Sequence, residues 1–225
     1  MVRVADRRTV LRMVGASMAL GMAGSAGTTP VAAKTTAQTP TLGTDVTFTT
    51  LSFASEGMSG NVTGGVTVQD ANNLITAGVQ ASGLITNQSG QVFGLLGTAV
   101  EFNGNGSQDA QITFSGSYNG ELKAGLGLSG SFVEVSAVTE SPSGTQESIV
   151  LNDRRRFGAE QYRSDFQRTQ TTTLEAGTQY LFYVSATLGA SAEVGTATAD
   201  FGPQIGGAQT PSQGVALDSI DVNFQ

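Results

Sequence analysis

The sequence predicts an all-β protein, a two-sheet antiparallel sandwich of which a jelly roll is one arrangement. Three observations carry this. Apolar residues alternate with their neighbours at a period of two, as Tyr180, Phe182, Val184, Ala186 and Leu188 do, which sends successive side chains to opposite faces of a sheet. About twelve such stretches follow one another, parted by clusters of Gly, Asn, Asp and Ser. Beyond the N-terminus no window holds a helical period. The nearest, 157–170, has Phe157, Tyr162 and Phe166 at irregular spacing.

Taken in order, the first strand signal is Val46 and Phe48. Leu51 and Phe53 resume the alternation after a slip at Thr49-Thr50, which reads as a bulge. Stretches 62–68, 74–79 and 91–102 follow, then Ile112, Phe114 and Tyr118, then 122–128 and 131–138 parted at Gly130, then Ile149 and Leu151. The stretch 171–201 contains the longest alternation and is expected to hold a central strand. Leu181 and Tyr183 make its second face apolar as well, as in a strand covered on both sides. Glu175-Ala-Gly177 before it is a turn, since Gly accepts a positive φ. Ile220, Val222 and Phe224 end the chain in a strand that must pair inside a sheet.

The 225 residues suffice for one ordinary β domain, expected over 45–225, with 34–44 as a Thr/Ala/Pro/Gln-rich flexible tether. A domain of that size buries about 70% of the surface its unfolded chain exposes, so it needs no disulfide or metal to hold a core. Cys, His and Trp are absent. Thiol chemistry and imidazole sites are therefore excluded, and with His goes the commonest general base. No Gly-x-Ser-x-Gly elbow occurs. Gly125-Leu-Gly127-Leu-Ser-Gly130 matches Gly-x-Gly-x-x-Gly, but β-type residues follow it where a dinucleotide site needs a helix, so these glycines read as sheet spacing.

At the N-terminus, Arg7-Arg8-Thr9-Val10-Leu11-Arg12 precedes an apolar, small-residue run over 13–26. The run is shorter than the roughly 20 residues of a membrane span. Basic start, apolar core and small-residue end describe a secretory signal over 1–33, with cleavage after Ala26 or after Ala33. The pair Arg7-Arg8, one spacer, then Val10 and Leu11 resembles a twin-arginine (Tat) secretion signal. That resemblance implies export of an already folded protein to the cell surface or beyond, with the export machinery as a partner. A membrane would then hold the protein only through an uncleaved N-terminal segment. The full chain carries a net charge of −7, and removal of 1–33 leaves seven basic and 17 acidic residues, net −10. Such a chain does not bind nucleic acid non-specifically, because phosphate contacts need Lys and Arg.

Five of those seven basic residues lie in one segment: Arg154, Arg155, Arg156, Arg163 and Arg168. One reading is a patch for an anionic partner, either an acidic glycan or the carboxylates of a neighbouring copy, since the planar fork of Arg grips carboxylates. The other is an edge strand whose arginines pair with Asp153, Glu160 and Asp165 of the same molecule. Glu101, Asn103, Asn105, Ser107 and Asp109 place oxygen at every second position, as a weak Ca²⁺ loop would; a strand end running into an Asn-Gly turn has the same pattern. No other cofactor or metal is expected. Asn61, Asn87 and Asn105 head sequons that glycosylation could use in an exported protein.

These observations favour an exported, non-catalytic β-sandwich of the cell surface or extracellular matrix, with a structural or interaction role. The alternative is an extracellular glycan- or ligand-binding module using 154–168. A third reading, a carboxylate-dependent hydrolase, needs only two acids about 5–10 Å apart, for which Glu101, Glu134 and Asp200 are candidates. Replacing Arg7 and Arg8 together by Lys is expected to retain the protein in the cytoplasm, read by immunoblot of culture fractions; undiminished secretion would refute the twin-arginine signal.

Overall fold

The structure, a computed structural model, describes residues 37–83, 87–202, 205 and 213–225. The described elements are twelve strands and one short 3-10 turn at Asp70–Asn72. The strands are β1 (Val46–Phe48), β2 (Phe53–Gly60), β3 (Thr63–Gln69), β4 (Leu74–Gly83), β5 (Gln88–Glu101) and β6 (Ser107–Ala124). They continue as β7 (Ser129–Ser141), β8 (Gly144–Arg155), β9 (Gly158–Glu175), β10 (Gln179–Ala192), β11 (Gly195–Phe201) and β12 (Gly214–Phe224).

The chain is an all-β sandwich of two antiparallel sheets. One has five strands in the order β2-β5-β10-β7-β8. In the seven-stranded sheet β9 is the edge and β6 lies beside it; β11 and β12 share the other side of β6; β4 and β1 follow, and β3 lies beyond β4. The run from β4 to β11 is one long hairpin rolled up. Gly83 opposite Gly195, Gln88 opposite Ala192, Ser107 opposite Glu175, Ala124 opposite Gly158 and Ser141 opposite Gly144 nest one inside the next. Rolling puts β4–β11 and β6–β9 in one sheet and β5–β10 and β7–β8 in the other, which is the jelly-roll connectivity.

Alternation then fills the space between the sheets. The even-numbered residues of β10, Tyr180 to Ala192, face inward and are buried, and Val92, Leu96 and Val100 of β5 and Ile112, Phe114 and Leu122 of β6 join them. At one end of the core Phe102 meets Phe224 edge-on at 5.6 Å and Tyr180 at 6.3 Å. The Tyr180 hydroxyl accepts the Glu175 N–H at 2.8 Å and ties down the β9–β10 turn, where Gly177 has φ +74°. On the outer face of the five-stranded sheet Phe53, Leu95, Val138 and Tyr183 form a second apolar cluster, with Phe93 and Leu181 at its margin. The central strand β10 is thus apolar on both faces, as Leu181 and Tyr183 suggested.

Several local expectations are corrected. The slip at Thr49-Thr50 is no bulge: Phe48 belongs to the seven-stranded sheet and Phe53 to the other, so the chain changes sheets there. The irregular 157–170 window is, from Gly158 on, the first part of β9, whose outward face is polar from Gln161 onward. The stretch 122–128 leaves its strand after Ala124. Residues 171–201 are divided among β9, β10 and β11. Of the segment read as a tether, residues 37–44 pair with the end of β5: Gln38 N–H donates to Ala99 O at 2.9 Å and Leu42 N–H to Asn103 O at 2.8 Å. Backbone groups in contact with a sheet end satisfy one another whatever the side chains are. Gly125-Leu-Gly127-Leu leads into strand β7 and no helix, as expected.

Gly120 is inward, and a Cβ there would lie 2.3 Å from Cγ of the fully buried Phe201. Gly120→Ala is expected to lower stability by about 1–3 kcal/mol through overpacking. Urea unfolding measures it, with outward Asn119→Ala as the control. Equal midpoints for the two variants would overturn this packing.

Candidate interaction surface

Strands β8 and β9 are consecutive, yet they are the edges of opposite sheets. The turn at Arg156 and Phe157 carries the chain from one sheet to the other, and Phe157 is 70% exposed there. The arginine segment therefore lies along one side of the sandwich.

The structure divides the five arginines. Arg155 turns inward to Asp153 at 3.2 Å and also pairs with Glu160. Its Nε donates to the Tyr162 hydroxyl at 3.0 Å, and that hydroxyl donates to Asp153 Oδ2 at 2.5 Å. The Tyr162 hydrogen bond, with the Arg154 N–H and the Arg155 charge, holds the Asp153 carboxyl below its usual range, against a smaller opposing effect of burial. Burial, then the bond to Asp153, pushes the Tyr162 hydroxyl up, so it stays protonated as the donor. Arg168 reaches from β9 to the other sheet: Nε donates to Ile149 O at 2.8 Å and Nη2 to Val150 O at 3.4 Å. The two carbonyls lie where β8 bulges opposite Val135 and Ser136. Arg168 thus covers the bulged stretch of the β8 edge.

The other three are exposed. Arg154 lies over the Phe132 ring, 5.4 Å from its centroid, on the outer face of the five-stranded sheet. Arg156 and Arg163 make no ion pair among the described residues. The edge-strand reading holds for Arg155, which pairs with Asp153 and Glu160; Arg168 bonds backbone carbonyls instead, and Arg154, Arg156 and Arg163 face solvent.

The remaining candidates are scattered. Glu101, Asn103, Asn105, Ser107 and Asp109 are all exposed, but Asp109 accepts the Thr173 hydroxyl at 2.6 Å and Asn103 Nδ2 donates to Thr39 O at 3.3 Å. Among the described residues no three acidic side chains gather as metal ligands. Asn61 and Asn87 adjoin: Asn61 Nδ2 donates to Asn87 O at 3.1 Å, and its Oδ1 accepts the Ser89 N–H at 2.9 Å. A glycan on Asn61 would disturb that clasp, whereas Asn105 stands in an exposed turn. Arg7, Arg8, Val10 and Leu11 lie outside the described residues. A shallow polar depression of about 230 Å³ at the opposite end of β8 is bordered by Thr139, Ser141, Thr145 and Tyr180.

Glu101, Glu134 and Asp200 lie on three different strands and are not brought together. The pair that does form was missed. Glu121 of β6 stands directly opposite Asp200 of β11 on the outer face, and Lys123 grips Glu121 at 2.5 Å. Burial pushes the Asp200 carboxyl up, against the Gly202 N–H and the Lys123 charge. Only strand register brings positions 121 and 200 together, and no local pattern announces it.

No protein-family model matches the chain, and no curated protein matches it. Among solved structures it is similar to the enzymatically active domain of bacteriophage CBA120 tailspike protein 4, at 9% identity and TM-score 0.21, over 76% of this chain but only 19% of that one. It is also similar to TmCBM61, solved in complex with β-1,4-galactotriose, at 8% identity and TM-score 0.20, over 76% of this chain and 88% of that one. The CBM22-1 xylan-binding domain of Paenibacillus barcinonensis Xyn10C follows at 13% identity and TM-score 0.19, over 74% and 85%. Likeness at this level assigns neither ligand nor activity to the chain.

The two shifted carboxylates have opposite signs in a pH profile. Asp153, held low, contributes stability that is present above its unfolded pKa and lost as pH falls through the folded value. Asp200, pushed up, favours the folded state below its unfolded pKa and loses that contribution as pH rises through the folded value. Relative to the parent at neutral pH, Asp153→Asn is expected to melt lower and Asp200→Asn higher, both differences vanishing in acid. Melting curves from pH 3 to 8 measure this; shifts of the same sign would refute the assignment.

Proposed function

We propose that this protein is an exported, non-catalytic β-sandwich of the cell surface or extracellular matrix that acts through a contact at its β8–β9 side. One observation carries the reading. On a chain of net charge −7, Arg154, Arg156 and Arg163 stand exposed on the two edge strands that meet at the β8–β9 turn, with Phe157 in that turn. Cations concentrated on an otherwise acidic molecule attract the acidic remainder of a neighbouring copy or an anionic polymer, and steer how either approaches. Arginine suits both, because its fork takes a carboxylate with two hydrogen bonds. Phe157 adds apolar area at the centre of such a contact, where aromatic and Arg side chains are the usual anchors. Export rests on the twin-arginine resemblance of Arg7-Arg8 and its apolar run.

The variant Arg154→Glu with Arg156→Glu leaves Arg155 and Arg168 in place. Its expected effect is a several-fold shift from the envelope or matrix fraction to the free medium. The parent is expected to elute from that fraction at moderate salt, as surface charge contacts do. Identical fractionation and salt elution of variant and parent would sink the reading. Retention of the parent on an immobilised anionic polysaccharide, lost in the variant, would identify the partner as glycan.

A further inference from the structure

Strand β9 is an 18-residue edge strand that pairs only with β6 among the described residues. Its even-numbered residues bond toward β6, so the odd-numbered ones turn their N–H and C=O groups outward. The side-chain bonds agree: Asp165 O takes the Ser164 hydroxyl and Gln167 O takes Arg168 Nη1, each at 2.9 Å. Both carbonyls keep a second lone pair. On the neighbouring edge, β8, Arg168 bonds the Ile149 and Val150 carbonyls where that strand bulges, whereas the β9 ladder runs without a bulge.

The geometry points to a second copy of this chain as the occupant: we propose that β9 pairs antiparallel with the partner's β9 about a two-fold axis at Ser164. The proposal rests on the surface-contact reading above and names its partner. The charge order of the strand carries it. In this register Arg163 stands opposite the partner's Asp165, and the pair occurs twice by symmetry. Tyr162 stands opposite the partner's Phe166 on the inner face. Arg163 and Asp165 are both exposed, on the outward face, and without an ion pair among the described residues. Neighbouring registers are penalised. A two-residue change in the pairing centres the axis on Arg163 or on Asp165 and sets like charges face to face. A one-residue change lays the inner face of one strand against the outer face of the other. The charges therefore favour the register centred on Ser164 over its neighbours, and the joined copies share one continuous sheet across β9.

The test uses the protein in the form its own cells produce. Sedimentation is expected to show a concentration-dependent dimer. Arg163→Asp sets Asp against the partner's Asp165 twice and is expected to weaken the dimer about tenfold or more. Arg163→Asp combined with Asp165→Arg restores the pairs with reversed signs and is expected to recover it. Because the chain has no Cys, Ser164→Cys reports on this contact alone. The two Ser164 positions face each other across the axis about 4.5 Å apart at Cα, within disulfide reach. Mild oxidation with diamide should then cross-link Ser164→Cys and leave Thr173→Cys monomeric. A monomer at all concentrations, a dimer indifferent to Arg163→Asp, failed recovery by the exchange, or equal cross-linking of the two cysteine variants would each overturn the proposal. A protein that stays in the envelope fraction while failing these tests would refute the pairing and leave the surface contact standing. A dimer found free in the medium would do the reverse.

Discussion

Everything in this fold depends on the nested backbone pairing of one long hairpin. The arms 74–141 and 144–201 pair with each other from the Pro142-Ser143 tip outward, and the paired ribbon then rolls so that one face closes on itself. A ribbon has two faces and no interior. Rolling creates the interior, so the alternating apolar residues of β5, β6, β7 and β10 form a core only in the register that the ladder holds. This constraint also explains why glycine recurs inward where a ring must pass, as Gly120 does under Phe201.

Rolling has a second consequence. It makes β8 and β9, joined by a two-residue turn, the edges of opposite sheets. The arginine segment lies on the seam between these two edges. Arg168 crosses the seam to the Ile149 and Val150 carbonyls, and the Asp153–Arg155–Tyr162–Glu160 cluster ties its other end. What remains exposed, Arg154, Arg156 and Arg163, puts positive charge beside the seam of an acidic molecule. Fold maintenance and surface chemistry are divided among neighbours in sequence because adjacent strand residues point in opposite directions.

Much of this architecture was legible along the chain. The strand signals needed only period two and turn residues, and Gly177, the C-terminal alternation and the second apolar face of β10 were read from a few neighbours each. Where the reading failed, distance was the reason. Phe48 and Phe53 differ by five residues and look like one interrupted strand, but the chain crosses between sheets at Thr49-Thr50. Strand β9 hides because its outward face holds Gln, Thr, Arg and Asp, and its inward face holds Tyr162, Phe166, Gln170 and Leu174, of which Gln170 is buried and donates to Ala137 O. An alternation of polar with partly polar residues carries little contrast.

The sequence by itself determined the all-β class, the sandwich, most of the strands, and the concentration of arginines in one segment, because these follow from local periodicity and composition. Only the tertiary structure decided which arginines turn inward, that Glu121 meets Asp200, and that β8 and β9 are edges of opposite sheets. Those outcomes depend on register between strands far apart in sequence, and register is set by the whole ladder acting together rather than by any residue within it.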